Sequence, residues 1–600
     1  MEHTILERNQ RAMTDLWALE DIYPTEEAWE QDLQVLKELT AKLPAYAGTF
    51  TQSAAQLLEL LQLDDRLSVL LDSLVNYAQR RSDEDTRIGK YQEMVSRVTS
   101  AWVAAASASA FVTPELLELD DETLESYYAQ CPELELYRRH IFNIRRKKDH
   151  ILSKAEERLL AAAGEMAGAP DQIYSMLADA DLTFPEVADE SGAMRPLTQG
   201  TYISYMESPD RTLRKNAFQT LYKTFGSMKN TCAATLASQV KQLQFFADAR
   251  RYGSALEASL DGTNVPTEVY HNLIATVHQH MDKMHRYVRL RKKLLGLDEL
   301  HMYDLYTPLV ADVDQKTPFD QAKQTVYDAL APMGDDYRKI LQEGFDNRWI
   351  DVYENPGKRS GAYSAGARVH PFVLLNYSGT LDSQFTLAHE MGHAIHSYLS
   401  NKHQPVVYSD YVIFVAEVAS TCNEALLMEH LLAKTTDRQQ RAYLINHFLD
   451  QFKGTLYRQT MFAEFELLMG QMNQRGEGLT AESLCREYRK LNELYYGPDV
   501  ISDDDIAMEW ARIPHFYYDY YVFQYATGYA AAIALSQRII QEGKPAVDDY
   551  VNFLSGGCSQ DPIDLLKMAG VDMSSPAPIE AALELFGRLL DEMEELMEDA

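Results

Sequence analysis

The 600 residues carry 56 basic against 90 acidic side chains, a net charge of −34. Such a surface repels nucleic acid and anionic membranes, so neither is an expected partner. Apolar residues make up 46% and charged residues 24%, the balance of a soluble globular protein, and the length calls for more than one lobe. Cys131, Cys232, Cys422, Cys485 and Cys558 lack CxxC spacing, which argues against a disulfide framework and suits a reducing, cytoplasmic compartment. The start, MEHTILERNQRAMTDLW, is too polar for a signal peptide, and no apolar run reaches the roughly 18 residues of a membrane helix.

Helical periodicity dominates from the beginning. TEEAWEQDLQVLKELTAKL places Trp29, Leu33, Leu36 and Leu39 on one face. Similar stripes follow through the first 150 residues, with Thr113-Pro114 read as one helix entry. LTFPEVADESGAMRPLT, residues 182–198, breaks the pattern and reads as a hairpin. Helices resume at Ser208-Pro209-Asp210, with Pro209 expected at the first helical position, and again after Pro266. The break suggests a division into a helical N-terminal domain, residues 1–200, and a second domain, residues 201–600. HMYDLYTPLV and WIDVYENPGKRSGAYSAGARVHPFVLLNYSG are rich in β-prone residues and turn signals, and predict a small sheet. Gly361, Ala362 and Tyr363 lie where a strand edge could hold an extended peptide through backbone hydrogen bonds. An ordinary buried hairpin explains the same pattern.

The sheet leads into TLAHEMGHAIHSYL. On a helix His389 and His393 share a face, one turn apart, and can grip one metal ion. Glu390, turned by about 100°, can reach an activated water without being a ligand. This is the H-E-x-x-H pattern of zinc peptidases. A catalytic zinc needs a third protein ligand. His396 stands about 10.5 Å along the axis from His389 at 1.5 Å per residue, too far to share an ion on an unbroken helix, so it is read as lining the cleft. Glu417 lies in the apolar run YVIFVAEVASTCNEALL, where a carboxylate is costly unless paired or metal-bound. Glu424, seven residues on, can fix a histidine tautomer.

HEMGHAIH followed by FVAEVAST resembles the thimet-oligopeptidase-like zinc metallopeptidases, most closely their oligoendopeptidase F branch. WALEDIYP, LDGTNVPTEVY at 260–270 and ARIPHFYYDYYVFQYATGYAAA at 511–532 extend the likeness over most of the chain. The resemblance implies that His389, His393 and Glu417 bind one zinc ion and that Glu390 is the catalytic base. It also implies a mostly α, two-lobed zincin-type fold, with a small sheet beside the motif helix and a deep channel that admits short peptides. The N-terminal domain would then cover that channel, with residues 201–600 as the catalytic domain. The family's histidine maps to His515 and its two tyrosines to Tyr518 and Tyr525, with Tyr521 a further substrate-binding candidate. Tyrosine and histidine donors can hold a tetrahedral oxyanion, although a tyrosine stripe is more often buried core.

The expected activity is hydrolysis of short peptides by a metal-activated water. One rival is a metal-dependent carboxypeptidase or dipeptidyl carboxypeptidase, which needs a cationic anchor such as Arg359, Arg368 or Arg512. A distant one is a non-catalytic helical peptide-binding protein. Nothing in the pattern fixes the oligomeric state.

Overall fold

The periodicity becomes helix along nearly the whole chain. About 72% of the computed structural model is helical, and it describes residues 5–310 and 316–598. Two compact units form, each discontinuous in sequence. The first comprises Met1–Asp149, Gln315–Leu427 and Leu535–Gly570; the second comprises His150–Asp314, Met428–Ala534 and Val571–Ala600. This interleaving differs from the single division expected at residue 200. The composition shift there is a local hairpin of Val187–Ala188 with Met194–Arg195, inside the second unit. Asp189 holds its turn by accepting from the Ser191 and Ala193 amides.

In the first unit, helix Glu26–Thr40 buries Trp29, Leu33, Leu36 and Leu39, the face read from the sequence. It packs on helices Ala54–Glu84 and Gly89–Ala108, and each leucine fully removed from water contributes about 1.5–3 kcal/mol. The Trp29 indole N–H donates to the Leu74 carbonyl at 3.0 Å, so its burial strands no polar group. Trp17 does the same with Val373 at 2.8 Å, tying the N-terminal segment to a three-stranded sheet. Phe372–Leu374 is the central strand, parallel to Ile350–Asp351 and antiparallel to Tyr363–Ala365. The sheet packs against helix Leu381–His403. Asp351 anchors it with ion pairs to Lys358 at 2.7 Å and Arg8 at 2.6 Å. Lys358 also donates to the Asp351, Tyr353 and Leu375 carbonyls, which makes its buried charge tolerable.

Three local expectations change. Of HMYDLYTPLV only His301 enters a strand, Leu300–His301, which pairs with Val500–Ile501 in the second unit and not with the motif sheet. Asp304 accepts from the His301 amide and from Arg211 and Arg214, which curls the chain into a tight turn after His301. Helix Arg211–Ser227 is capped by Asp210, which accepts from the Leu213 amide at 3.0 Å, so Pro209 precedes the cap. The helix around Pro114 begins at Val112, after Phe111. No helix among the described residues is long and apolar enough to cross a membrane.

Candidate active site

Thr380 starts the motif helix by accepting from the Ser383 amide at 3.1 Å, and no proline interrupts Leu381–His403. Its neighbour is helix Ile413–Lys434. Asn423 of that helix donates to the Ala388 carbonyl at 3.1 Å, while its own oxygen accepts from Tyr337 at 2.9 Å. Gly392 sits at the crossing. A Cβ there would lie 2.6 Å from the Ser420 Cα and 2.7 Å from the Ala419 carbonyl oxygen. The missing side chain therefore lets the second helix carry Glu417 up to the two histidines.

The three donor atoms converge. His389 Nε2 lies 3.2 Å from His393 Nε2 and 3.4 Å from Glu417 Oε2, and His393 Nε2 lies 3.6 Å from the same oxygen. Bonds of 2.0–2.2 Å in a tetrahedral arrangement require donor separations of about 3.3–3.6 Å. The spacing and the two-imidazole, one-carboxylate set therefore fit a tetrahedrally bound divalent metal, and these three residues form the metal-competent group among the described residues. Glu424 Oε1 accepts a hydrogen bond from His389 Nδ1 at 2.5 Å, an arrangement that fixes the tautomer whose Nε2 lone pair faces Glu417 and His393. Ser420 Oγ is 3.3 Å from Glu417 Oε2 and orients the carboxylate. Burial alone would raise the Glu417 pKa, but its histidine contacts outweigh it and hold the carboxyl well below its usual range. Burial would likewise lower the His389 pKa, yet Glu417 and Glu424 push it well up. Both shifts mark a site in need of positive charge.

Glu390 is buried and lies outside the donor group. Burial raises its pKa against the pull of His389 and His393, which makes the carboxylate a better proton acceptor. His396 is fully buried and stacks on Tyr411, ring centroids 3.7 Å apart. Burial, then His393, pushes its pKa down to about 3, so it is neutral packing beside the site and not one of the converging donors. Tyr411 in turn shares a hydrogen bond with Ser397 at 3.0 Å.

The sheet brings its edge strand, Tyr363–Ala365, against the motif helix. A Cβ on Gly366 would fall 2.9 Å from Ser397 Oγ, so glycine sets this close approach too. Gly361 takes φ +82° and its carbonyl accepts from Asn376 at 2.8 Å. The Tyr363 hydroxyl is committed to Asp83 at 2.5 Å. Ala362 lies between Gly361 and that strand.

The histidine–tyrosine segment lies in the second unit, and its packing sorts the tyrosines. Tyr517 is buried, stacks on Tyr174 at 4.6 Å and shares a hydrogen bond with Thr235 at 2.9 Å. Tyr520 is buried edge-on to Tyr270 at 6.0 Å. Both belong to the core. Tyr518, Tyr521 and Tyr525 instead surround His515, with centroids at 5.4, 6.5 and 6.0 Å. Tyr518 is 47% exposed, so it is free to meet a ligand. Burial lowers the His515 pKa, which favours a neutral imidazole with one N–H to donate.

Sequence reasoning does not single out Gly392, Asn423, Ser420 or Tyr411. Only Gly392 leaves a signal, as a glycine inside a helix where it costs about 1 kcal/mol against alanine.

Comparison with known proteins identifies the family. A sequence model of peptidase family M3 matches residues 204–585, and one described as Oligopeptidase F matches residues 115–184. Oligopeptidase PepF of Bacillus subtilis is 49% identical over 592 residues, covering 98% of this chain and 88% of that protein. Group B oligopeptidase PepB of Streptococcus agalactiae is 42% identical over 97% of each chain. A solved structure from Chlamydophila abortus superposes with a TM-score of 0.93 at 34% identity, over 99% of this chain and 100% of that one. The oligoendopeptidase-F structure from Enterococcus faecium gives 0.76 at 38% identity, over 96% and 100%. The chain belongs to peptidase family M3, among its oligoendopeptidase F members, and is a peptidase.

Proposed function

We propose that the chain is a zinc-dependent endopeptidase of short peptides, with Glu390 as general base. The observation that carries this reading is the tetrahedral spacing of His389, His393 and Glu417 with Glu390 one residue from the first ligand. Zinc, when bound, would supply Lewis acidity at the scissile carbonyl and make water acidic enough to attack near neutral pH. Glu390 takes a proton from the attacking water and passes it to the leaving amine. His515, Tyr518 and Tyr525 donate hydrogen bonds to the oxyanion; their clustering and the family motif support this. The backbone around Gly361, Ala362 and Tyr363 pairs with extended substrate, and Tyr521 adds an aromatic contact. One ion per chain, short peptide partners and a cytoplasmic setting belong to the same reading.

The carboxypeptidase alternative is less well supported by its anchors. Arg359 pairs with Asp83 at 3.5 Å, Arg368 donates to Ser409 at 3.1 Å, and Arg512 lies over the Tyr202 ring at 4.8 Å. Length-graded quenched peptides with free or amidated C-termini separate the readings. Internal cleavage of amidated peptides, abolished by chelator and restored by zinc, is the expected result. Cleavage confined to free C-termini would establish the alternative, and chelator-resistant cleavage would remove the metal from the reaction.

The ligand assignment has its own test. Glu417→Ala is expected to lose stoichiometric zinc by elemental analysis, because one of three donors goes. His396→Ala should keep it, since that ring contributes stacking and no donor atom. The reverse pattern would transfer the third ligand to His396.

A further inference from the structure

Asp519 and Tyr520 both take positive φ, +51° and +57°. Two such residues in succession form a left-handed bend of the kind usually built from asparagine and glycine. Aspartate tolerates that region, but a bulky tyrosine does so only when the surroundings force it. The turn joins Tyr518 to Tyr521, two of the three tyrosines around His515, so whatever forces it also places them.

The forces are visible within the second unit. Glu466 Oε1 accepts from the Tyr520 amide at 3.2 Å. Gln239 donates to the Tyr517 carbonyl at 3.0 Å and to Asp519 Oδ1 at 3.3 Å, and Ser259 donates to the Asp519 carbonyl at 2.5 Å. Glu466 is buried, and its other oxygen, Oε2, has no hydrogen-bond partner. A buried carboxyl with one oxygen stranded is expensive to keep for packing alone. One turn along the same helix, Arg458–Gln474, Gly470 leaves room for the Tyr520 ring. A Cβ on Gly470 would lie 2.3 Å from the Tyr520 hydroxyl oxygen.

We propose that Glu466 and Gly470 are positioning residues: a latch on one helix that holds the Asp519–Tyr520 turn in its left-handed form and so sets Tyr518 and Tyr521 against His515. The inference rests on the oxyanion role proposed for His515 and Tyr518. Neither latch residue touches substrate. Burial raises the Glu466 pKa, and glutamine is its close mimic because it keeps the side-chain carbonyl that accepts from the Tyr520 amide.

The test compares Glu466→Met, Glu466→Gln, Gly470→Ala and Gly470→Ala/Tyr520→Phe in the full chain, with His515→Ala and Tyr518→Phe as references. Glu466→Met, similar in volume but without the acceptor, is expected to lower kcat about tenfold or more, with KM and zinc content within about twofold. Glu466→Gln should stay near wild type. Gly470→Ala should lower kcat, and adding Tyr520→Phe, which removes the clashing hydroxyl, should restore it. Wild-type kcat in Glu466→Met, an equal loss in Glu466→Gln, or failure of the Tyr520→Phe rescue would overturn the latch. If Glu466→Met does not fold, the Gly470 pair decides. Full turnover in both His515→Ala and Tyr518→Phe would refute the oxyanion reading itself. Loss in those references alongside an active Glu466→Met would refute the latch alone.

Discussion

Glu390→Gln is expected to bind zinc like the wild type and to lose turnover by about 10²–10⁴-fold, the range a positioned general base contributes. At 1.36 kcal/mol per decade this is about 3–5 kcal/mol of transition-state stabilisation. The metal should stay because the three converging donors are His389, His393 and Glu417, with Glu390 outside them. Turnover should go because the amide has nearly the shape of the carboxylate but cannot accept a proton from water. Glu390 is buried, so the amide inherits the same packing, and the change removes basicity rather than structure. KM should move little, since the lost interaction belongs to the transition state. Wild-type kcat in a fully metallated Glu390→Gln would remove Glu390 as base. Loss of zinc together with activity would instead make it part of the metal-binding set.

Relations within one element are legible in the amino-acid sequence. Amphipathic helices announce themselves by period, and Trp29, Leu33, Leu36 and Leu39 are buried as their spacing says. The two histidines and Glu390 are local, within five residues of one helix, so their relation is written in the chain itself. Glu417 can be picked out because a carboxylate in an apolar run needs a reason. Relations across space are not legible in this way. The interleaved units escape a reading that expects composition to change at a boundary, because helical periodicity runs through both. Tyr517 and Tyr520 look like Tyr518 and Tyr525 in the sequence. Only packing against Tyr174, Thr235 and Tyr270 separates core rings from those around His515. Glu466 is one acidic residue among many until the backbone it holds is seen at positive φ.

Gly392→Ala is the second change with a large expected effect, and local reasoning gets its sign wrong. Alanine in a helix interior is favoured over glycine by about 1 kcal/mol, so propensity predicts a gain. The added Cβ would meet the Ser420 Cα at 2.6 Å, the Ala419 carbonyl oxygen at 2.7 Å and the Ser420 nitrogen at 2.8 Å. All three are backbone atoms, so no rotamer relieves the contact and the helices must part by several tenths of an ångström. Overpacking of this kind costs about 1–3 kcal/mol, which cancels the propensity gain or exceeds it. The functional cost is larger, because metal–ligand distances tolerate only about ±0.2 Å. Glu417 rides on the helix being pushed away, and its oxygen now sits 3.4 Å and 3.6 Å from the two histidine nitrogens. Zinc affinity is expected to fall by at least the 10–100-fold seen when groups supporting a metal site are removed, with activity falling alongside and partly recovered at high zinc. Gly164→Ala is the matched control, also inside a helix but with nothing within 4 Å of the added carbon. It should leave zinc binding unchanged. If Gly392→Ala binds zinc as tightly as Gly164→Ala does, the close crossing is not what delivers Glu417 to the metal, and the histidine helix would have to hold the ion without it.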